Sequence, residues 1–188
     1  LPAGAPLLVA PYNLEPRKNL DALLAAVARL KEQTPGLMLA LYGRAAVDDE
    51  REARFRARVS ELRLDGAVSL TGFLEDPELA GLMERAEVFV FPSLYEGFGL
   101  PVLEAMTRGA CVVARGESAM AEVVGDAGVL VETADPEQLA GALGALLRDP
   151  ARRGRLGARA RARAADWTTE RMARETLACY ERALRGPG

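Results

Sequence analysis

The 188-residue sequence predicts an α/β domain: a Rossmann-like, doubly wound, mostly parallel sheet followed by C-terminal helices. Short apolar runs alternate with segments of helical spacing, as strands and crossover helices do in a parallel sheet. Glycine or an Asp-Pro pair punctuates the junctions. From Asp135 onward the pattern is helical throughout.

The first strand is Leu7 to Ala10. Asn19 to Leu30 follows as a helix, because Leu20, Leu23, Leu24, Val27 and Leu30 recur at helical spacing. Leu37 to Tyr42 is a second strand closed by Gly43, Asp48 to Leu64 a charged amphipathic helix, and Val68 to Leu70 a third strand ending at Thr71-Gly72. Asp76-Pro77 is expected to cap and open a helix to about Arg85, since a carboxylate accepts from first-turn amides and an early proline gives up no hydrogen bond. Val88 to Phe91 is a buried strand. Pro101 begins a helix to about Arg108, and Ala110 to Ala114 and Gly128 to Val131 are the last strands. Three helices finish the chain, from Asp135-Pro136 to about Leu147, Asp149 to Ala165, and Thr168 to about Leu184.

With 49% hydrophobic residues, a chain of this length buries one sizeable core, so residues 1–188 are read as a single domain. A formal charge of −3 gives no global attraction to nucleic acid, and any bound anion must be held by a local cluster. Cys111, between an alanine and two valines, reads as core; Cys179 is far from it, and the pair fits neither a disulfide framework nor a metal site. A reducing cytoplasm is the simplest setting. No signal-peptide pattern opens the chain, and the first residue, Leu1, points to missing upstream sequence. Histidine is absent, which excludes Ser-His-Asp and Cys-His nucleophiles and histidine zinc sites.

Ligands of doubly wound sheets bind beyond the carboxyl ends of the strands. The segments expected to matter are therefore Tyr12 to Asn19, Gly43-Arg44, Thr71 to Asp76 and Pro92 to Glu104. The last reads Pro-Ser-Leu-Tyr-Glu-Gly-Phe-Gly-Leu-Pro from Pro92 to Pro101: two glycines between a strand and a helix, where backbone amides and the helix dipole form an anion cradle. Glu96 precedes this helix and Glu104 is placed in its first turn, so both are expected to face the crevice. An ionised carboxylate is an acceptor for two hydroxyl donors at once, which suits carbohydrate. Arg17 and Lys18, just past the first strand, place two cations at the same crevice, where they can fix a diphosphate. Taken singly, each feature also has an ordinary structural reading: a strand-to-helix turn, a charge near a helix start, a solvated Arg-Lys pair.

Together, Pro16-Arg17-Lys18-Asn19, Thr71-Gly72-Phe73 and the Glu96 to Glu104 block resemble, in order and spacing, the C-terminal domain of GT-B retaining glycosyltransferases of the "group 1" family, which includes many mannosyltransferases. The resemblance runs from about Leu7 to Leu184. It implies that Arg17 and Lys18 neutralise the donor diphosphate, that Glu96 binds hydroxyls of the transferred sugar, and that Glu104 binds the ribose. Gly97, Phe98, Gly99 and Leu100 would offer amides to sugar and phosphate, and Gly72, Phe73 and Leu74 would border the nucleobase. Many members carry an arginine six residues before the lysine; Tyr12 stands there, so Arg17 is expected to take that role. The implied substrate is a GDP- or UDP-sugar, with no cofactor and no metal, since no Asp-x-Asp motif occurs. The implied partner is an N-terminal acceptor-binding domain, without which the chain is expected to show little transfer.

Two other readings stay open. One is a non-catalytic nucleotide-sugar-binding or regulatory domain on the same scaffold. The other is a nicotinamide-dependent dehydrogenase, against which no Gly-x-Gly-x-x-Gly follows the first strand. The arginines from Arg148 to Arg163 read as a solvated helix face, with a peripheral contact at the cytoplasmic face of a membrane as the alternative. Trp167 is expected to pack the last helix.

Overall fold

A computed structural model of the chain describes residues 1–44, 49–117 and 119–185. Six strands form one sheet: β1 (Leu7–Pro11), β2 (Met38–Tyr42), β3 (Val68–Gly72), β4 (Val88–Phe91), β5 (Val112–Arg115) and β6 (Val129–Val131). Every pairing is parallel, and the spatial order is β3-β2-β1-β4-β5-β6. The helices are α1 (Leu20–Lys31), α2 (Asp49–Glu61), α3 (Asp76–Arg85), α4 (Leu100–Thr107), α5 (Ala119–Val124), α6 (Pro136–Leu147), α7 (Pro150–Ala164) and α8 (Thr169–Arg185), with a 3-10 turn at Pro16–Lys18. The expected doubly wound α/β architecture is the one that forms. The expected helix start at Asp48 lies outside the described residues.

Strand side chains alternate between two apolar layers. Leu8 and Ala10 of β1, with Leu39 and Leu41 of β2, meet α1 and α6; Leu7 and Val9 of β1, with Phe89 and Phe91 of β4, meet α4 and α5. Because both faces are covered, β4 is buried along its whole length. That is why these strands read as continuous apolar runs.

Local chemistry sets the element ends. The carboxylates of Asp135 and Asp149 accept from the Glu137 and Arg152 amides, each at 2.8 Å, as N-caps should. At α3 the expectation is corrected. Glu75, not Asp76, is the N-cap, and its amide donates to the Glu78 carboxylate at 3.0 Å, leaving Asp76 as the first helical residue. The helix expected to reach Leu64 stops at Glu61, because Arg63 turns left-handed (φ 55°) and the Leu64 amide bonds back to the Val59 carbonyl at 2.9 Å, which buries Leu64. Helix α5 was not expected from the sequence; its buried Met120, Val123 and Val124 carry helical spacing over only six residues.

The arginines of α7 are more than a solvated face. Arg153 donates to the Leu146 and Leu147 carbonyls, Arg161 to that of Arg108, and Arg163 to those of Glu122 and Val123. They fasten α7 to the carboxyl-terminal ends of α6, α4 and α5, where helices leave carbonyls unpaired. The last helix, α8, buries no residue, and Met172, Leu177, Tyr180 and Leu184 form an exposed apolar stripe along it. Among the described residues no helix is long and apolar enough to cross a membrane.

Candidate functional site

The strand order reverses between β1 and β4, with β2 and β3 on one side and β5 and β6 on the other. Loops leaving β1 and β4 therefore form the two lips of a crevice at the carboxyl edge of the sheet.

The β1 lip is shaped by Asn19. Its left-handed backbone (φ 56°, ψ 37°), which asparagine tolerates better than most residues, separates the Pro16–Lys18 turn from α1. The turn aims both cations at the β4 lip. Lys18 Nζ lies 2.6 Å from Glu96 Oε1, and Arg17 Nη1 lies 3.0 Å from the same oxygen. Glu15 holds the Arg17 Nε at 2.8 Å, and Lys18 Nζ stands 5.5 Å from the centre of the Phe91 ring, a cation-π distance. The Lys18 and Glu96 side chains are 16% and 13% exposed, so water screens this pair less than a surface ion pair.

Backbone bonds stitch the lips together. The Leu94 amide donates to the Arg17 carbonyl at 2.7 Å, and Arg115 at the end of β5 donates to the Leu94 carbonyl at 3.3 Å. The Asn19 side-chain amide donates to the Pro92 and Thr133 carbonyls at 3.2 and 2.8 Å, joining the segments after β1, β4 and β6.

Gly99 caps α4 with φ 99°, a conformation that disfavours any side chain, and an added Cβ there would overlap the Met120 thioether. Gly97 and Leu100 are exposed, and α4 starts at Leu100, one residue before the expected Pro101. Phe98 meets Trp167 edge to face, ring centres 5.4 Å apart, and Arg171 of α8 stands 5.9 Å from the Trp167 ring. Trp167 thus joins the glycine loop to the start of α8. The sequence reading assigned no such role to Asn19, Arg115, Met120 or Trp167; only Asn19, a left-handed-tolerant residue before a helix, carried a local signal.

Glu104 stands apart from this cluster. It lies in the second turn of α4, not the first as expected, and its electrostatic neighbours are Asp76, Arg108 and Tyr42. Partial desolvation, then the like charge of Asp76, holds its carboxyl above the usual range, with Arg108 opposing. A carboxyl raised in the folded state contributes stability that is complete below its unfolded pKa and is lost as pH rises through the folded value. Glu104→Gln is accordingly expected to raise the melting temperature by about 1–2 °C near neutral pH, with the gap closing near pH 4. Thermal unfolding at both pH values checks this; a gap independent of pH would contradict it. The neighbouring Tyr42 hydroxyl is buried with no hydrogen-bond partner among the described residues, and burial, then Glu104, raises its pKa.

Gly72 ends β3 and Phe73 and Leu74 follow it, two strands from β1 and so roughly 10 Å away. Gly72 has φ 74° and accepts from the Gly43 amide at 2.8 Å. Phe73 is 60% exposed, with the Arg44 guanidinium 5.8 Å from its ring centre, while Leu74 packs against the core. Tyr12 is itself buried: its ring packs edge to face on Phe55 and its hydroxyl donates to Glu52. The structure thus brings Arg17, Lys18 and Glu96 into one contact and sets Glu104 and the Gly72 to Leu74 segment farther along the same edge of the sheet.

This sheet, with its strand order reversing at the crevice, is one half of a GT-B glycosyltransferase fold. Sucrose-phosphate synthase from Thermosynechococcus elongatus superposes with a TM-score of 0.86 at 30% identity, over 100% of this chain and 47% of that one. HepE from Anabaena, solved in complex with UDP-glucose, shares the fold with a TM-score of 0.82 at 24% identity, over 94% of this chain and 50% of that one. The chain belongs to the glycosyl transferases group 1 family, whose model matches residues 1–163. The MMP alpha-(1->4)-mannosyltransferase of Mycolicibacterium hassiacum is 39% identical over 90% of this chain and 41% of its own length. The chain therefore spans less than half of that relative.

Proposed function

We propose that this chain is the donor-holding half of a retaining hexosyltransferase, which binds a GDP- or UDP-sugar and passes the hexose to an acceptor hydroxyl in polysaccharide, glycolipid or glycoconjugate synthesis. The observation that carries the reading is the convergence of Arg17, Lys18 and Glu96 at the reversal of the sheet. The two cations receive the diphosphate, and Glu96, at their side, receives the sugar hydroxyls. The amides of Gly97, Phe98, Gly99 and Leu100, at the positive end of α4, take the sugar and distal phosphate. Glu104 takes the ribose, and the base lies toward Gly72, Phe73 and Leu74. Negative charge grows on the departing diphosphate, so Lys18 and Arg17 lower the barrier where the transition state needs it. Retention of configuration rests on the family resemblance.

The acceptor side belongs to an N-terminal domain, the partner that the exposed stripe of α8 fits. Glu170, Glu175 and Glu181 border that stripe, while Arg171, Arg174, Arg182 and Arg185 lie opposite it at helical spacing. Acidic borders suit a protein groove better than an anionic lipid surface. On this reading the enzyme works in the cytoplasm, any contact with the cytoplasmic face of a membrane is made by the other half, and the isolated chain transfers little.

Calorimetric titration of the chain with UDP, GDP, ADP and NAD tests the reading. Saturable binding of UDP or GDP, in preference to NAD, is expected. Binding of NAD alone, or of none of the four, would overturn it.

A further inference from the structure

The Glu96 carboxylate stands where two cations converge. One of its oxygens accepts from both Lys18 and Arg17, at 2.6 and 3.0 Å, in a corner where Glu96 is only 13% exposed. The contact is built: the Leu94 amide bonded to the Arg17 carbonyl and the Asn19 amide bonded to the Pro92 carbonyl hold the two loops at this spacing. A diphosphate seated on the same guanidinium and ammonium would lie beside the Glu96 carboxylate, so the two anions share the charge of the two cations and repel each other.

We infer that Glu96 is a specificity-determining residue that discriminates a complete nucleotide-sugar from the bare nucleoside diphosphate by competing for Lys18 and Arg17. The inference rests on the donor reading above and adds a second role to Glu96. A nucleoside diphosphate draws the charge of the cations away from Glu96, leaving a poorly hydrated carboxylate beside new negative charge. A complete donor meets the same opposition but brings hydroxyls that donate to the carboxylate. After transfer those hydroxyls leave with the sugar, Glu96 competes again for the cations, and the spent diphosphate is expelled. The carboxylate that recognises the sugar thereby also weakens retention of the product.

In calorimetric titrations of the folded chain with UDP and GDP, Glu96→Gln, which preserves shape and removes the charge, is expected to bind whichever diphosphate the parent binds about tenfold more tightly. Its affinity for the matching nucleotide-sugar should rise less, so the preference for donor over product shrinks. Glu96→Asp keeps the charge, withdraws it by one methylene and should fall between parent and Glu96→Gln; it carries the test if the amide variant does not fold. Glu15→Gln makes the same change in net charge but leaves Glu96 paired, and is expected to alter affinity less than about twofold, because the Glu15–Arg17 pair is 44% and 41% exposed. Unchanged or weaker diphosphate binding by Glu96→Gln overturns the inference, as does equal tightening by Glu15→Gln, which would signal a general field effect. Parent and variants that all fail to bind any nucleoside diphosphate would remove the donor reading, and this inference with it.

Discussion

Lys18→Ala should reduce nucleoside diphosphate affinity by roughly 30- to 100-fold while leaving the fold intact. An ammonium about 4 Å from a phosphate oxygen interacts by about 4 kcal/mol at an effective dielectric near 20, and desolvation leaves on the order of 2–3 kcal/mol of that. Lys18 is held for this role from three sides. The turn is fixed by Asn19, the ammonium stands over the Phe91 ring, and Glu96 orients it. None of these supports depends on Lys18 for the packing of the sheet, and Arg17 remains to pair with Glu96 in the variant. A melting temperature within a few degrees of the parent, with diphosphate heat lost at the same concentrations, is the expected outcome of paired calorimetry and thermal unfolding. Undiminished diphosphate binding by a folded Lys18→Ala chain would contradict the role.

Glu96→Ala should lower transfer by the intact enzyme about 100- to 1000-fold in kcat/KM, although the site still holds the nucleotide part of the donor. On the proposed reading the reason is differential binding: hydroxyl contacts to the transferred sugar hold the anomeric carbon in place as the bond to the diphosphate stretches, and their loss falls on the transition state. Activity and diphosphate affinity are thus expected to move in opposite directions for Glu96 and together for Lys18. Steady-state transfer by the intact enzyme and its two variants, measured beside diphosphate titrations, separates the roles. Transfer by Glu96→Ala at a rate near the parent's would assign the sugar contact elsewhere.

Much of the fold was legible because a parallel sheet buried on both faces writes its strands as unbroken apolar runs, and β1, β2 and β4 did so. The order β3-β2-β1-β4-β5-β6 is another matter. Lys18 and Glu96 are 78 residues apart, and only the pairing of β1 with β4 makes their loops neighbours. The residue types at each lip were readable from local chemistry; their meeting was a consequence of topology. What escaped the sequence reading shares a cause. Helix α5 is six residues long, too short for periodicity to separate it from a loop. The carbonyls capped by Arg153, Arg161 and Arg163 lie on three other helices, so a charged helix face read alone looks merely solvated. Trp167 touches Phe98 across 69 positions of sequence, a contact with no local signature. The one-residue shift that moves Glu104 from the first turn to the second has its cause in the left-handed Gly99 cap, which starts α4 at Leu100.

The surroundings of the glycine loop reach toward α8. Phe98 rests on Trp167, and Arg171 at the start of α8 stands over the same indole. Helix α4 is also tied to the body of the domain through Arg161 and the Arg108 carbonyl.

A crystal structure of the chain soaked with UDP- or GDP-sugar tests the central claim most directly. A diphosphate is expected within hydrogen-bonding distance of Lys18 and Arg17, with the hexose hydroxyls on the Glu96 carboxylate and the ribose at Glu104. Density for the nucleotide elsewhere on the molecule would contradict that claim.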